Sequence, residues 1–201
     1  MTKKYIKIFK EHFKTVPVFT TRDVRLFLNQ FGSKNYALRF IQNLKKSNAL
    51  IELKNGFYTL IDDITVSGFM FDPFYYGLGK ALTYYNCWDY VTPMVIITIR
   101  NVRSGIRMIM GMNVDVKRIN KKMFFGFRYV PYENMFYIPM ATLEKTLIDL
   151  AYFNIGLGDP QIYKNILEKI DHDELKKLMK QTPLRIKKRV ENIIKNYSSR
   201  A

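Results

Sequence analysis

The chain has 201 residues, 48% of them hydrophobic, and 33 Lys and Arg against 17 Asp and Glu give it a formal net charge of +16. This excludes a disordered chain and allows one large or two small domains. One cysteine, Cys87, and two distant histidines, His12 and His172, exclude an intramolecular disulfide framework and a Cys/His metal cluster.

No run approaches the ~20 apolar residues that a membrane span requires. The stretch MTKKYIKIFK lacks the apolar core of a signal peptide. A cytoplasmic protein with no membrane partner is expected. Half of the positive excess lies in residues 1–62, which hold 12 Lys and Arg against 4 Asp and Glu. A local basic excess is the electrostatic footprint of nucleic-acid binding, although a solvated lysine-rich surface looks similar.

Lys3 to Lys14 reads as a first helix, with Ile6, Phe9 and Phe13 on one face, and Pro17 ends it. Thr20 or Thr21 caps a second, with Val24, Phe27, Leu28 and Phe31 at i, i+3, i+4, i+7. Gly32 makes a turn, and Ser33 is expected to cap a third helix. Ala37, Phe40, Ile41 and Leu44 form the apolar stripe of that helix, while Asn35, Arg39, Gln42 and Lys46 occupy the opposite face. Asn55-Gly56 then signals a two-residue hairpin with positive φ at both positions. The implied pairs are Leu53 with Tyr58, Ile51 with Leu60, and Glu52 with Thr59. Helix, turn, helix and hairpin in this order describe a winged helix-turn-helix occupying residues 1–62.

Asp62 to Gly68 reads as a linker to a second domain over residues 69–201. Its first part, Phe69 to Tyr90, is aromatic-rich, with a helix expected over Phe74 to Tyr85. Tyr75, Tyr76, Tyr84, Tyr85, Trp88 and Tyr90 read better as a domain core than as a base-stacking surface. Short strands are expected over Met94–Arg100, Gly105–Met110, Asn113–Ile119, Met123–Val130 and Met135–Ile138, forming a small, mostly antiparallel sheet. A helix capped by Thr142 follows, with Leu143, Leu147, Leu150 and Ala151 buried and Gly156 and Gly158 ending it. Three further helices, near Pro160–Lys169, Asp171–Lys180 and Leu184–Tyr197, complete an α+β fold. The last reads as an amphipathic helix lying across the second domain, with a second nucleic-acid surface or a partner-docking helix as the alternatives.

A recognition helix reads bases with its exposed face, and its N-terminal residues usually reach deepest. Lys34, Asn35, Arg39, Gln42, Asn43 and Lys46 are therefore expected to face the major groove, with Lys34, Asn35 and Arg39 contacting bases. Thr21, Arg22, Arg25, Lys45 and Lys54 are expected to meet phosphates, with Asn55 beside Lys54 at the wing tip. No catalytic constellation emerges. Asp72, Asp89, Asp115, Glu144 and Asp149 are the carboxylates that a metal-dependent nuclease could use, but their spacing is not compact. Gly77-Leu78-Gly79-Lys80 is only a fragment of a phosphate-binding loop. No enzyme activity, metal or cofactor is expected. The alternatives are a protein-interaction module built on the same fold and, less favoured, a metal-dependent DNA-acting enzyme.

The order DPFYYGLGKALTYY, VTPMVIITIR, strands, and IPMATLEKTLIDLAYF behind a winged helix resembles the AbiEi-like antitoxin and transcriptional-regulator family of type IV toxin–antitoxin systems. The most specific pieces are Tyr76-Gly77 with Ala81-Leu82, and Ile138-Pro139 through Glu144-Lys145 to Asp149. Leu143 stands where family members often carry proline; as a first helical position it tolerates either residue. The resemblance implies an N-terminal domain that represses its own operon at inverted repeats in double-stranded DNA. It also implies a C-terminal domain that counters a nucleotidyltransferase-like toxin. A stand-alone regulator of the same architecture is the alternative.

Overall fold

A computed structural model of the chain describes residues 3–88, 93–133 and 135–198. The fold is α+β and divides into two compact units. One comprises Met1–Asp72 with Met108–Asn113 and Pro131–Phe136, and the other Pro73–Arg107, Val114–Val130 and Tyr137–Ala201.

The first unit opens with α1 (Lys3–Phe13), β1 (Phe19–Thr20) and α2 (Thr21–Asn29), continues through a 3-10 turn (Lys34–Tyr36) into α3 (Ala37–Lys46), and reaches β2 (Ile51–Lys54) and β3 (Phe57–Thr59). Its core gathers the expected apolar positions of all three helices: Phe9 and Phe13, Val24, Phe27 and Leu28, and Ala37, Phe40, Ile41 and Leu44. Phe9 sits at the centre, edge-to-face with Phe19, Phe27 and Phe40 at centroid distances of 5.7, 5.5 and 5.1 Å. Such geometry stabilises an aromatic pair by about 0.5–1.5 kcal/mol beyond its area. Thr20 caps α2 reciprocally. Its Oγ1 accepts from the Asp23 amide at 3.3 Å, and Asp23 Oδ2 accepts from the Thr20 amide at 2.7 Å.

Three local expectations need correction here. Ser33 does not cap α3; its hydroxyl donates to the Phe31 carbonyl at 3.2 Å, and the chain makes the 3-10 turn before α3 begins at Ala37. Phe31 falls beyond the end of α2 and is exposed, its ring edge-on to Tyr5. In the hairpin Lys54 pairs with Phe57 across Asn55-Gly56, as the two-residue loop requires, but Leu53 bulges, so Glu52 pairs with Tyr58 and Ile51 with Thr59. Only Gly56 takes positive φ, at 84°. A turn without two positive-φ residues matches the strand twist poorly, and a bulge restores that twist. The bulge also leaves Leu53 and Tyr58 both buried. β1 joins β3 antiparallel, giving the order β1-β3-β2.

Residues 62–68, read as a linker, belong to a packed segment. Asp63 caps a 3-10 run over Ile64–Phe71, accepting from the Thr65 amide at 2.6 Å, and Thr65, Val66, Ser67 and Gly68 are buried. The Tyr132 hydroxyl donates to the other Asp63 oxygen at 2.6 Å and accepts from Thr65 Oγ1 at 3.2 Å. Burial and this bond to Asp63 push the Tyr132 phenol up to about 12. The polar residues satisfy one another while Val66, Met70 and Phe71 are buried, which the polar start of the segment conceals.

The chain after Asp72 departs further from expectation. Phe74–Tyr76 is not helical but a strand, β4; the helix, α4, is confined to Gly79–Tyr84. Between them Leu78 has φ 51° and ψ −126°, a conformation costly for a branched side chain, here buried. The remaining strands are β5 (Met94–Thr98), β6 (Gly105–Ile109), β7 (Met112–Arg118), β8 (Phe127–Tyr132) and β9 (Phe136–Ala141), in the order β6-β7-β5-β4-β9-β8. The sheet is mixed rather than mostly antiparallel. β4 runs antiparallel to β5 but parallel to β9, and β5 runs parallel to β7. Every residue of β4 and β5 is buried, which suits central strands covered on both faces.

Helices α5 (Leu143–Phe153), α6 (Pro160–Lys169), α7 (His172–Gln181) and α8 (Leu184–Ser198) complete the second unit. Thr142 caps α5 as expected, but left-handed Asn154, not a glycine, ends it. All residues from Leu143 to Ala151 are buried, not one stripe. Arg189 Nη1 donates to the Ala151 carbonyl at 3.0 Å, fastening α8 to the end of α5. Among the described residues no helix is long and apolar enough to cross a membrane.

Candidate nucleic-acid interface

The sequence of the first unit separates two faces on α2 and α3. On α3 the apolar stripe is buried, and Arg39, Gln42, Asn43 and Lys46 are exposed on the remaining surface. On α2, Arg22 and Arg25 are exposed, opposite buried Val24, Phe27 and Leu28. Arg22, Arg25, Lys34 and Asn35 converge as walls of one cleft of about 580 Å³. Sequence reasoning missed the other three residues lining it, Leu26, Asn29 and Leu38. Their signal was their position outside the apolar stripes, on the face already assigned to polar contacts.

The expected contact residues are not equally available. Among the described residues Arg22, Arg25, Lys34, Arg39, Lys46 and Lys54 enter no ion pair, so their charge is uncompensated by a neighbouring carboxylate. Lys45 differs. Its ammonium is bonded to Glu52 on β2, which holds its pKa above the ordinary value. That cation is already answered within the unit. The Asn43 amide donates to the Tyr36 hydroxyl at 3.3 Å. The hairpin tip is tied to the start of α2, because the Thr21 amide donates to the Gly56 carbonyl at 3.2 Å. Lys54 and Asn55 are exposed beside that tie.

The carboxylates considered for catalysis do not converge. Asp115 pairs with Lys117 at 2.9 Å, and Glu144 accepts from the Asp171 amide at 2.8 Å. Asp72 is exposed in the first unit. Asp89 and Tyr90 lie outside the described residues. Among the described residues no group of three or more His, Cys, Asp and Glu could hold a metal ion. The Gly77-Leu78-Gly79 turn is packed, and a Cβ on Gly77 would lie 2.7 Å from Ile97 Cδ1.

A buried pair does stand out in the second unit. Lys145 Nζ lies 2.5 Å from Asp149 Oδ1, both side chains 0% exposed, and the Tyr75 hydroxyl donates to Asp149 Oδ2 at 2.9 Å. The ammonium also lies 4.8 Å from the centre of the Phe125 ring and 5.5 Å from that of Tyr75. Burial pushes the Asp149 carboxyl up and the Lys145 ammonium down, and their mutual attraction opposes both shifts. The i, i+4 spacing of Lys145 and Asp149 was visible in the sequence; their complete burial was not. Both side chains are fully buried and Asp149 is bonded to Tyr75 of β4, so they read as an internal polar anchor between α5 and β4.

The class these observations define is an α+β protein whose first unit presents a basic, partly apolar cleft. No protein-family model matches the chain, and neither does any curated protein. The fold is similar to that of the crystal structure of the RV2827C protein from Mycobacterium tuberculosis, at 15% identity and a TM-score of 0.56, over 90% of this chain and 72% of that one. At that identity the likeness concerns the fold alone.

Proposed function

We propose that the first unit is a winged helix-turn-helix that binds double-stranded DNA sequence-specifically, and that the protein is a transcriptional repressor rather than an enzyme. The observation that carries this reading is the unpaired cationic surface shared by α2, the 3-10 turn and α3. Arg22, Arg25 and Lys34 flank the cleft, and Arg39 and Lys46 continue the surface along α3. In this docking α3 lies in the major groove, α2 crosses the backbone, and Lys54 on the β2–β3 hairpin meets a phosphate. Asn35 and Gln42 supply side chains suited to adenine edges, and Arg39 one suited to guanine. Lys45, held by Glu52, contributes least among the expected phosphate contacts.

The biological setting we propose is that of an AbiEi-like antitoxin. The protein represses its own operon at inverted repeats through the first unit and counters a nucleotidyltransferase-like toxin through the second. The test is a binding titration of the full chain against duplex DNA from upstream of its gene and a scrambled duplex of equal length, at two salt concentrations. A preference of ~10³ or more for the upstream DNA supports the repressor. Equal, steeply salt-dependent binding to both would reduce the interface to a non-specific one. Absence of binding to either would favour a protein-interaction module.

A further inference from the structure

We infer that Leu38 reads thymine, so that the preferred sites of this protein carry a required thymine methyl group within each contacted half. This deepens the DNA-binding reading above and rests on it. Leu38 is 54% exposed on α3, between Lys34 and Gln42, each four residues away, and lines the cation-walled cleft with Asn35 and Lys34. Leu26 of α2, 58% exposed, lines the same cleft. The apolar stripe of α3 is complete without Leu38, since Ala37, Phe40, Ile41 and Leu44 fill the core. More than half of that leucine's surface faces solvent, outside the core cluster. It sits where the surrounding charges favour a polyanion.

In a major groove the one apolar feature on any base edge is the C5-methyl of thymine. Asn35 lies three residues before Leu38, a rise of about 5 Å along the helix. Base pairs are spaced by about 3.4 Å, so the two side chains reach neighbouring base pairs. Asn35 can bond bidentately to an adenine edge while Leu38 covers an adjacent methyl. Charge complementarity selects the occupant: a cleft walled by Arg22, Arg25 and Lys34 with an apolar patch suits DNA.

The experiment removes the methyl without altering base pairing. The tightest duplex enriched by the full chain from a random-sequence pool is made with each thymine replaced singly by deoxyuridine. Wild-type protein should bind the duplex lacking the contacted methyl about fourfold more weakly, the factor carried by one buried carbon. Leu38→Ala should bind that duplex and its parent equally, and Leu38→Met should keep the penalty. Because Leu38 is more than half exposed, both variants should melt like wild type. If every deoxyuridine duplex binds wild type like its parent, or if Leu38→Ala keeps the full penalty, the assignment is wrong while sequence-specific binding stands. If the pool yields no preferred duplex, the sequence-specific reading fails and this inference with it.

Discussion

Arg39 and Lys54 are both exposed cations on the first unit, but in the proposed docking they act differently. Arg39→Ala should cost ~1–3 kcal/mol against the preferred duplex and relax discrimination at one base pair, measured by titrating single-substitution duplexes. Lys54→Ala should weaken all duplexes about equally and reduce the slope of log affinity against log salt by roughly one. The Lys145–Asp149 pair makes a different prediction, independent of DNA. Lys145→Met leaves the Asp149 carboxyl buried with only Tyr75 for support, so urea unfolding should show a loss of ~3–5 kcal/mol. The double replacement Lys145→Met with Asp149→Leu removes both charges and should recover most of that loss. Single residues were legible in the sequence where exposure alone mattered, as for Arg22, Arg25 and Arg39. They were not legible where a distant partner decided, as for Lys45 with Glu52.

Among elements, helices were easier to read than strands. The stripes of α2 and α3 follow the 3.6-residue period and have polar opposite faces, so their buried residues could be named. In α5 burial runs all the way round, so the stripe of Leu143, Leu147, Leu150 and Ala151 named only part of what is covered, and Glu144, Lys145 and Asp149 are buried as well. FYYGLGKALTYY mixes a fully buried strand, a strained turn at Leu78 and one short helix, and no single period describes it. Missing that strand also removed the centre of the sheet and with it the parallel pairing to β9. Two elements of the first unit offer tests. Thr20→Ala removes the side-chain half of the α2 cap and should lower stability by ~1 kcal/mol in urea denaturation. Tyr132, whose phenol is raised to about 12 by burial and by its bond to Asp63, should hold its proton more tightly folded than unfolded. Its contribution is complete below the ordinary tyrosine value near 10 and should be lost as pH rises toward 12. The stability difference between wild type and Tyr132→Phe, followed by denaturation across that range, should shrink accordingly.

For the whole molecule, charge is the property that the sequence displayed most openly. A net charge of +16 says that polyanions will be attracted, but not which ones. Site-specific recognition depends on how a few of those charges are held, which requires the fold. Expected division at residue 62 also met a more tangled arrangement. The first unit runs on to Asp72 and takes in Met108–Asn113 and Pro131–Phe136, and Tyr132 in the last of these bonds Asp63. A gene fragment ending at codon 62 would omit both the buried 3-10 run and the tyrosine that closes on it. The same holds for inheritance: recombination at a single breakpoint cannot pass this unit to another protein whole. Its descendants should have diverged mainly by substitution and by loop change, with the first unit and the strands after it travelling together.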